Sequence, residues 1–157
     1  MKVFYLSILS FFLVSCGSST LSSSSSDTKE VKKSIDAFAD FYADKEPALL
    51  KGLFTEEPQA IVYGMGNEVW KGEATIRKKM EKSIEDVEDS NIEVRDQVIK
   101  VSGNTAWFSE RGDWSYDYKG QRVELDGVRM TGVLLKEGSQ WKIVQWHTSY
   151  PLRAQQQ

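Results

Sequence analysis

An α+β domain, with three helices covering one face of a cone-shaped, strongly bent and mostly antiparallel sheet, is predicted by three observations. The first half of the chain carries apolar residues at helical spacing. The second half is four long β-type runs separated by two-residue turns. The last run, Gln140 to Pro151, alternates apolar and polar residues yet has large apolar groups on both faces, so its sheet is covered at least in part on each side.

The elements follow in chain order. Asp27 and Glu30 form the pattern of a capping box, and Val31, Ile35, Phe38 and Tyr42 then recur at spacings of four and three, one stripe of an amphipathic helix. Pro47 suits the first turn of a second, short helix through Leu49, Leu50, Leu53 and Phe54, which Pro58 closes. Gln59 to Gly64 reads as a strand, Gly64-Met65-Gly66-Asn67 as a turn and Glu68 to Trp70 as a second short strand. Gly72 precedes a third helix with Ile76, Met80 and Ile84 on one side. After an acidic connection from Glu85 to Asp89 come strands at about 91–102, 105–118, 121–136 and 140–150, an antiparallel meander. Strands this long must bend, and Gly112, Gly127 and Gly132 are the candidates for bulges that would do it. On the last strand, alternation puts Trp141, Ile143, Gln145, His147 and Ser149 on one face and Val144, Trp146, Thr148 and Tyr150 on the other.

A chain of 157 residues suits one domain and can bury roughly two thirds of the surface exposed when unfolded. Its formal charge is −3. Residues 1–15 hold one charged residue, Lys2, so their removal takes 20 basic residues to 19 against 23 acidic, and the charge to −4. No basic run exceeds Arg77-Lys78-Lys79, which argues against nucleic acid as a partner.

Lys2 and the apolar run from Val3 to Val14 read as a leader, too short to cross a bilayer comfortably and too hydrophobic for a soluble terminus. The run ends in Leu13-Val14-Ser15-Cys16-Gly17, which resembles the lipobox of bacterial lipoproteins. The resemblance implies cleavage before Cys16 and its acylation; at about 0.8 kcal/mol per buried methylene, several acyl chains would hold the protein on a membrane. An ordinary secretory signal with an incidental free cysteine is the alternative. Gly17 is not the aspartate that resembles an inner-membrane retention signal, so the resemblance implies an outer membrane, facing the periplasm, in a host that has one. Cys16 is the only cysteine, so no disulfide and no thiolate metal cluster can form. The organisation expected is a signal peptide over 1–15, an acylated cysteine and serine-rich tether over 16–28, a folded domain over 29–153 and a tail over 154–157.

Four segments, A-D-K-E-P-A-L-L-K-G-L-F (43–54), W-K-G-E-A-T-I-R (70–77), R-M-T-G-V-L-L-K (129–136) and W-K-I-V-Q-W-H-T-S (141–149), together with the order of elements, resemble the nuclear transport factor 2-like superfamily and its SnoaL-like members. Function varies widely across that superfamily, so the resemblance implies the fold and leaves the activity open. Enzymes such as ketosteroid isomerase use a carboxylate base, a helix tyrosine and a protonated acid; by position these fall at Gly64, Phe38 and near Gly132, and none is present. The resemblance also implies which strand faces line the cone: Phe108, Glu110 and Trp114; Val128, Met130 and Leu134; Val144, Trp146 and Thr148.

Among these, Glu110 is the candidate acid or base, since a carboxylate between Phe108 and Trp114 on a lined face would be desolvated and its pKa raised. Its competing reading is a place at the mouth or an ion pair with Arg111 or Arg129. Tyr42 and Tyr63 are expected to supply hydroxyls near the helix-covered end, with Phe108, Trp114, Met130 and Trp146 as the apolar wall. His147, the only histidine, points to the outer face by parity, and one histidine without cysteines builds no usual metal site. No glycine pattern cradles a phosphate. The expectation is an envelope lipoprotein that binds a small, mostly apolar or aromatic molecule without cofactor, metal or catalysis. Two alternatives stay open: a cyclase, isomerase or hydrolase working through Glu110, and a homodimer formed through Trp141, Ile143 and His147.

Overall fold

The structure, a computed structural model, describes residues 25–56 and 60–151. The leader, Cys16 with the tether up to residue 24, Pro58, Gln59 and the tail lie outside the described residues.

Helix α1 (Ser25–Asp44) buries Val31, Ile35, Phe38 and Phe41. Spacings of four, three and three keep that stripe on one side of a 3.6-residue turn. Phe41 thus takes the fully buried place expected of Tyr42, which is only partly buried. Asp27 is not a cap, because the helix is already formed at Ser25. Its carboxylate instead accepts from Lys136 Nζ at 2.6 Å and from Trp141 Nε1 at 3.4 Å, clamping the helix to the last hairpin of the sheet. The helix stops where Lys45 enters the left-handed region at φ 55°. There its N–H returns to the Phe41 carbonyl at 3.0 Å, a backbone cap for a helix end.

The short helix expected through Phe54 is a single 3-10 turn, Pro47–Leu50. Lys51, with extended backbone at ψ 116°, ends the helical path, and Gly52 follows at φ 73°. Leu53 and Phe54 then run as an extended rung beside the sheet, where Ile143 N–H donates to the Leu53 carbonyl at 2.8 Å and Thr55 N–H to the Ile143 carbonyl at 3.1 Å. Two α-helices lie against the sheet among the described residues, the second being α2 (Glu73–Ser83), which buries Ile76 and Met80.

Six strands follow the order β2-β1-β6-β5-β4-β3: β1 (Ile61–Tyr63), β2 (Val69–Lys71), β3 (Val87–Ser102), β4 (Thr105–Tyr118), β5 (Gln121–Glu137) and β6 (Gln140–Ser149). The four long ones form the expected antiparallel meander. β1 joins β6 in parallel, Val62 opposite Trp146. The sheet is therefore mixed, and this pair, far apart in sequence, has no tight turn to dictate its direction.

Bending comes from register shifts. β3 starts at Val87, inside the stretch expected to be a connection, and shifts register between Glu88 and Asn91 and between Arg95 and Val98, where Asp89 and Asp96 adopt φ 45° and 51°. The β4–β5 shift follows Gly112. Gly127 sits opposite it at φ 75°, a conformation that favours glycine, and donates its N–H to Asp113 Oδ1 at 2.8 Å. Gly132 is no bulge: it lies in regular pairing, and a Cβ there would strike the Phe108 ring and stand 2.6 Å from the Gln145 carbonyl oxygen.

A fourth shift, Val133 opposite Gln145 but Leu134 opposite Ile143, leaves Val144 as an extra residue on β6. This corrects the strict alternation read from the sequence. Past Val144 the strand changes face, so Trp141 and Ile143 are buried with Trp146 and Thr148, while His147 stays exposed.

Candidate ligand site

The deep part of the cone is filled by its own rings. Phe38 of α1 stacks on Trp146 of β6 at 3.9 Å between centroids, and Phe108 of β4 leans on the same indole at 4.8 Å. Trp146 has no exposed surface, and its Nε1 donates to Thr148 Oγ1 at 2.9 Å. Phe108, Met130 and Trp146, expected as cavity wall, are thus packed core.

A hollow remains at the wide mouth. One cavity of about 190 Å³ lies among Phe38, Tyr42, Val62, Met65, Glu68, Trp70 and Trp114. A second of about 190 Å³ continues past Tyr42, Met65 and Trp114 to Tyr116 and Tyr118. Shared walls make the two one cleft. It is lined mainly by apolar and aromatic surface with a few convergent polar groups, the usual character of a small-molecule site.

Those polar groups are specific in what they offer. Ser83 donates its one proton to the Met80 carbonyl at 2.7 Å. The 3.2 Å contact between Tyr42 and Ser83 must therefore run from the tyrosine hydroxyl to the serine oxygen, which leaves the lone pairs of Tyr42 as acceptors. Burial pushes the Tyr42 pKa up, so the phenol stays protonated. Glu68, on the turn into β2, accepts from Gly66 N–H at 2.8 Å. Its carboxylate covers Gly64, where an added Cβ would stand 2.6 Å from Glu68 Oε2. Trp114 Nε1 is buried without a hydrogen-bond partner among the described residues, an arrangement that costs about 1–3 kcal/mol.

Glu110 is buried at 6% exposure, and burial pushes its pKa up while a 2.7 Å bond from Gln97 Nε2 opposes the rise. It pairs with Met130 across β4–β5 and has Asp36 and Lys32 of α1 as its charged neighbours. It does not line the mouth cleft. Tyr63 does not line it either: 40% exposed, it turns outward and meets His147 edge to face at 6.0 Å. Val62 fills the inward place on β1.

Of the residues expected at the site, Tyr42 and Trp114 come together in the cleft. Val62, Met65, Glu68, Trp70 and Ser83 were missed. Ser83 could have been found as a polar residue seven places after Ile76 and three after Met80, on the buried stripe of α2. Glu68 follows the Gly64–Asn67 turn at the very position where a bent hairpin returns over the cone. Among the described residues no group of histidine, cysteine or carboxylate side chains could hold a metal, and no helix is long and apolar enough to cross a membrane.

A bent sheet wrapped around one long helix, with an open aromatic mouth, defines the cone architecture of the nuclear transport factor 2-like class. The sequence profile of the SnoaL-like domain matches residues 31–153, and the chain belongs to that family. Family members bind small-molecule ligands or act as polyketide cyclases or dehydratases. Among solved structures, a candidate dehydratase of the NTF2-like family from Streptomyces avermitilis superposes with a TM-score of 0.73 at 19% identity, covering 82% of this chain and 98% of its own. An NTF2-like superfamily protein from Salmonella enterica serovar Typhimurium gives 0.73 at 20%, covering 82% and 94%. A candidate scytalone dehydratase from Novosphingobium aromaticivorans gives 0.68 at 16%, covering 82% and 91%. These likenesses show the fold. No curated protein matches the chain in sequence.

Proposed function

We propose that this protein is a cell-envelope binding module, acylated at Cys16, on the periplasmic face of an outer membrane. In this reading its mouth cleft holds a small, mostly apolar or aromatic molecule without transforming it. The observation that carries the reading is the cleft itself, walled by Phe38, Tyr42, Val62, Met65, Trp70 and Trp114 and closed below by the Phe38–Trp146 stack. Catalysis through Glu110 is the weaker reading, since that carboxyl is enclosed by the sheet and by Gln97 and lines no part of the cleft. Calorimetric titration with 2-naphthol tests the binding reading. Binding should be saturable and should be lost in Met65→Arg, which places a charge at the exposed rim. Unchanged affinity in that variant would show that the cleft is not the site.

A homodimer is favoured by one observation on the outer sheet face, though not through the residues first expected. Trp141 and Ile143 are buried under α1. Trp107, Val98 and Leu135, on the opposite face, are exposed at 47%, 43% and 39%, and adjacent exposed apolar groups on a sheet mark an interaction surface. Light scattering of the wild type and of Trp107→Lys decides this: a dimer that the substitution dissociates is expected, and a monomeric wild type would end the idea.

A further inference from the structure

The cleft walls carry acceptors and π-faces but no cation. Among the described residues lining it there is no lysine, arginine or histidine; Glu68 is the one carboxylate. The lone pairs of Tyr42 face outward from a proton already given to Ser83. Trp114, Tyr116 and Tyr118 present rings, whose faces attract positive charge. Tyr118 shows this already, with Lys119 Nζ 5.2 Å from its centroid. That lysine is held at the rim by Asp86 at 3.2 Å. Trp114 Nε1, a donor that could have served an anion, is itself enclosed. The Glu68 carboxylate forms no ion pair among the described residues, and the one hydrogen bond it accepts there is from Gly66 N–H.

We infer that the ligand is a protonated amine on a flat apolar or aromatic body, its ammonium group placed between the Glu68 carboxylate and the Tyr42 oxygen. The inference rests on the mouth cleft being the binding site. The ring stacks against Trp114 and Phe38, and the ammonium hydrogens go to the two acceptors. An anionic analogue would set its charge against Glu68 with no cation to meet it, and would be rejected.

Calorimetry on the full-length protein with three probes of one shape, 2-naphthylmethylamine, 2-naphthalenemethanol and 2-naphthoate, tests this. The amine should bind about tenfold tighter than the alcohol, with naphthoate weakest. Glu68→Gln, which keeps an oxygen for Gly66 N–H, should erase the preference for the amine over the alcohol. Naphthoate binding as tightly as the amine, or a preference that survives Glu68→Gln, would overturn the amine assignment while leaving the cleft as the site. If none of the three binds, the cleft reading falls and the amine with it.

Discussion

The ring of Phe38, on α1, lies 3.9 Å from the indole of Trp146, on β6, with the planes 21° apart. One residue of the helix thus closes the cone from above while the other floors it. The mouth cleft begins where this stack ends.

Phe38→Ala should cost about 3–5 kcal/mol, the loss seen when a buried ring is deleted without collapse of its site. Urea unfolding measures it. A loss below about 1 kcal/mol would mean that the helix settles onto Trp146 and that the stack does not hold the cone shut.

Gly132→Ala should destabilise by about 1–3 kcal/mol, because the new methyl meets the Phe108 ring and the Gln145 carbonyl where the packing leaves no space. The double variant with Phe108→Leu should recover part of that loss, since one of the two obstacles shrinks. Equal losses in single and double variants would place the conflict wholly at the β6 backbone.

Glu110 makes stability depend on pH in an unusual direction. Burial raises its folded pKa above the ordinary 4.5, so the folded state holds the proton more tightly than the unfolded chain. Its contribution is fully present below the unfolded pKa and is lost as pH rises through the raised folded value. Glu137, lowered chiefly by the Thr55 hydroxyl, and Asp113, lowered chiefly by Gly127 N–H, act in the opposite sense. The difference between wild type and Glu110→Gln isolates the term. The variant should match the wild type in acid and be the more stable of the two at neutral pH, as followed by thermal unfolding across pH. A variant less stable at neutral pH would show that the carboxylate is stabilised where it lies.

Cys16→Ser should release the protein from the membrane fraction and abolish incorporation of labelled palmitate. Retention of both label and membrane association in the variant would remove the anchor from the proposal.

The sequence by itself determined the fold class, the four-strand meander and the two helical stripes, because each depends on a local period: 3.6 on α1 and α2, two on the strands, with Gly103, Gly120 and Gly138 at the turns. Two residues of the cleft wall were also named from the sequence, Tyr42 from the helical stripe of α1 and Trp114 from the strand face that the family resemblance implies. Tertiary structure alone decided the rest. An extra residue at Val144 carried Trp141 and Ile143 under the helix, the parallel pairing of β1 with β6 brought Val62 inward and turned Tyr63 out, and the β1–β2 hairpin set Glu68 over Gly64. A bulge reverses the face of every residue beyond it, and strand partners distant in the chain are chosen by packing rather than by neighbours. For that reason Phe108, Met130 and Trp146, expected to line the cone, are packed core, and the cleft among the described residues lies at the mouth.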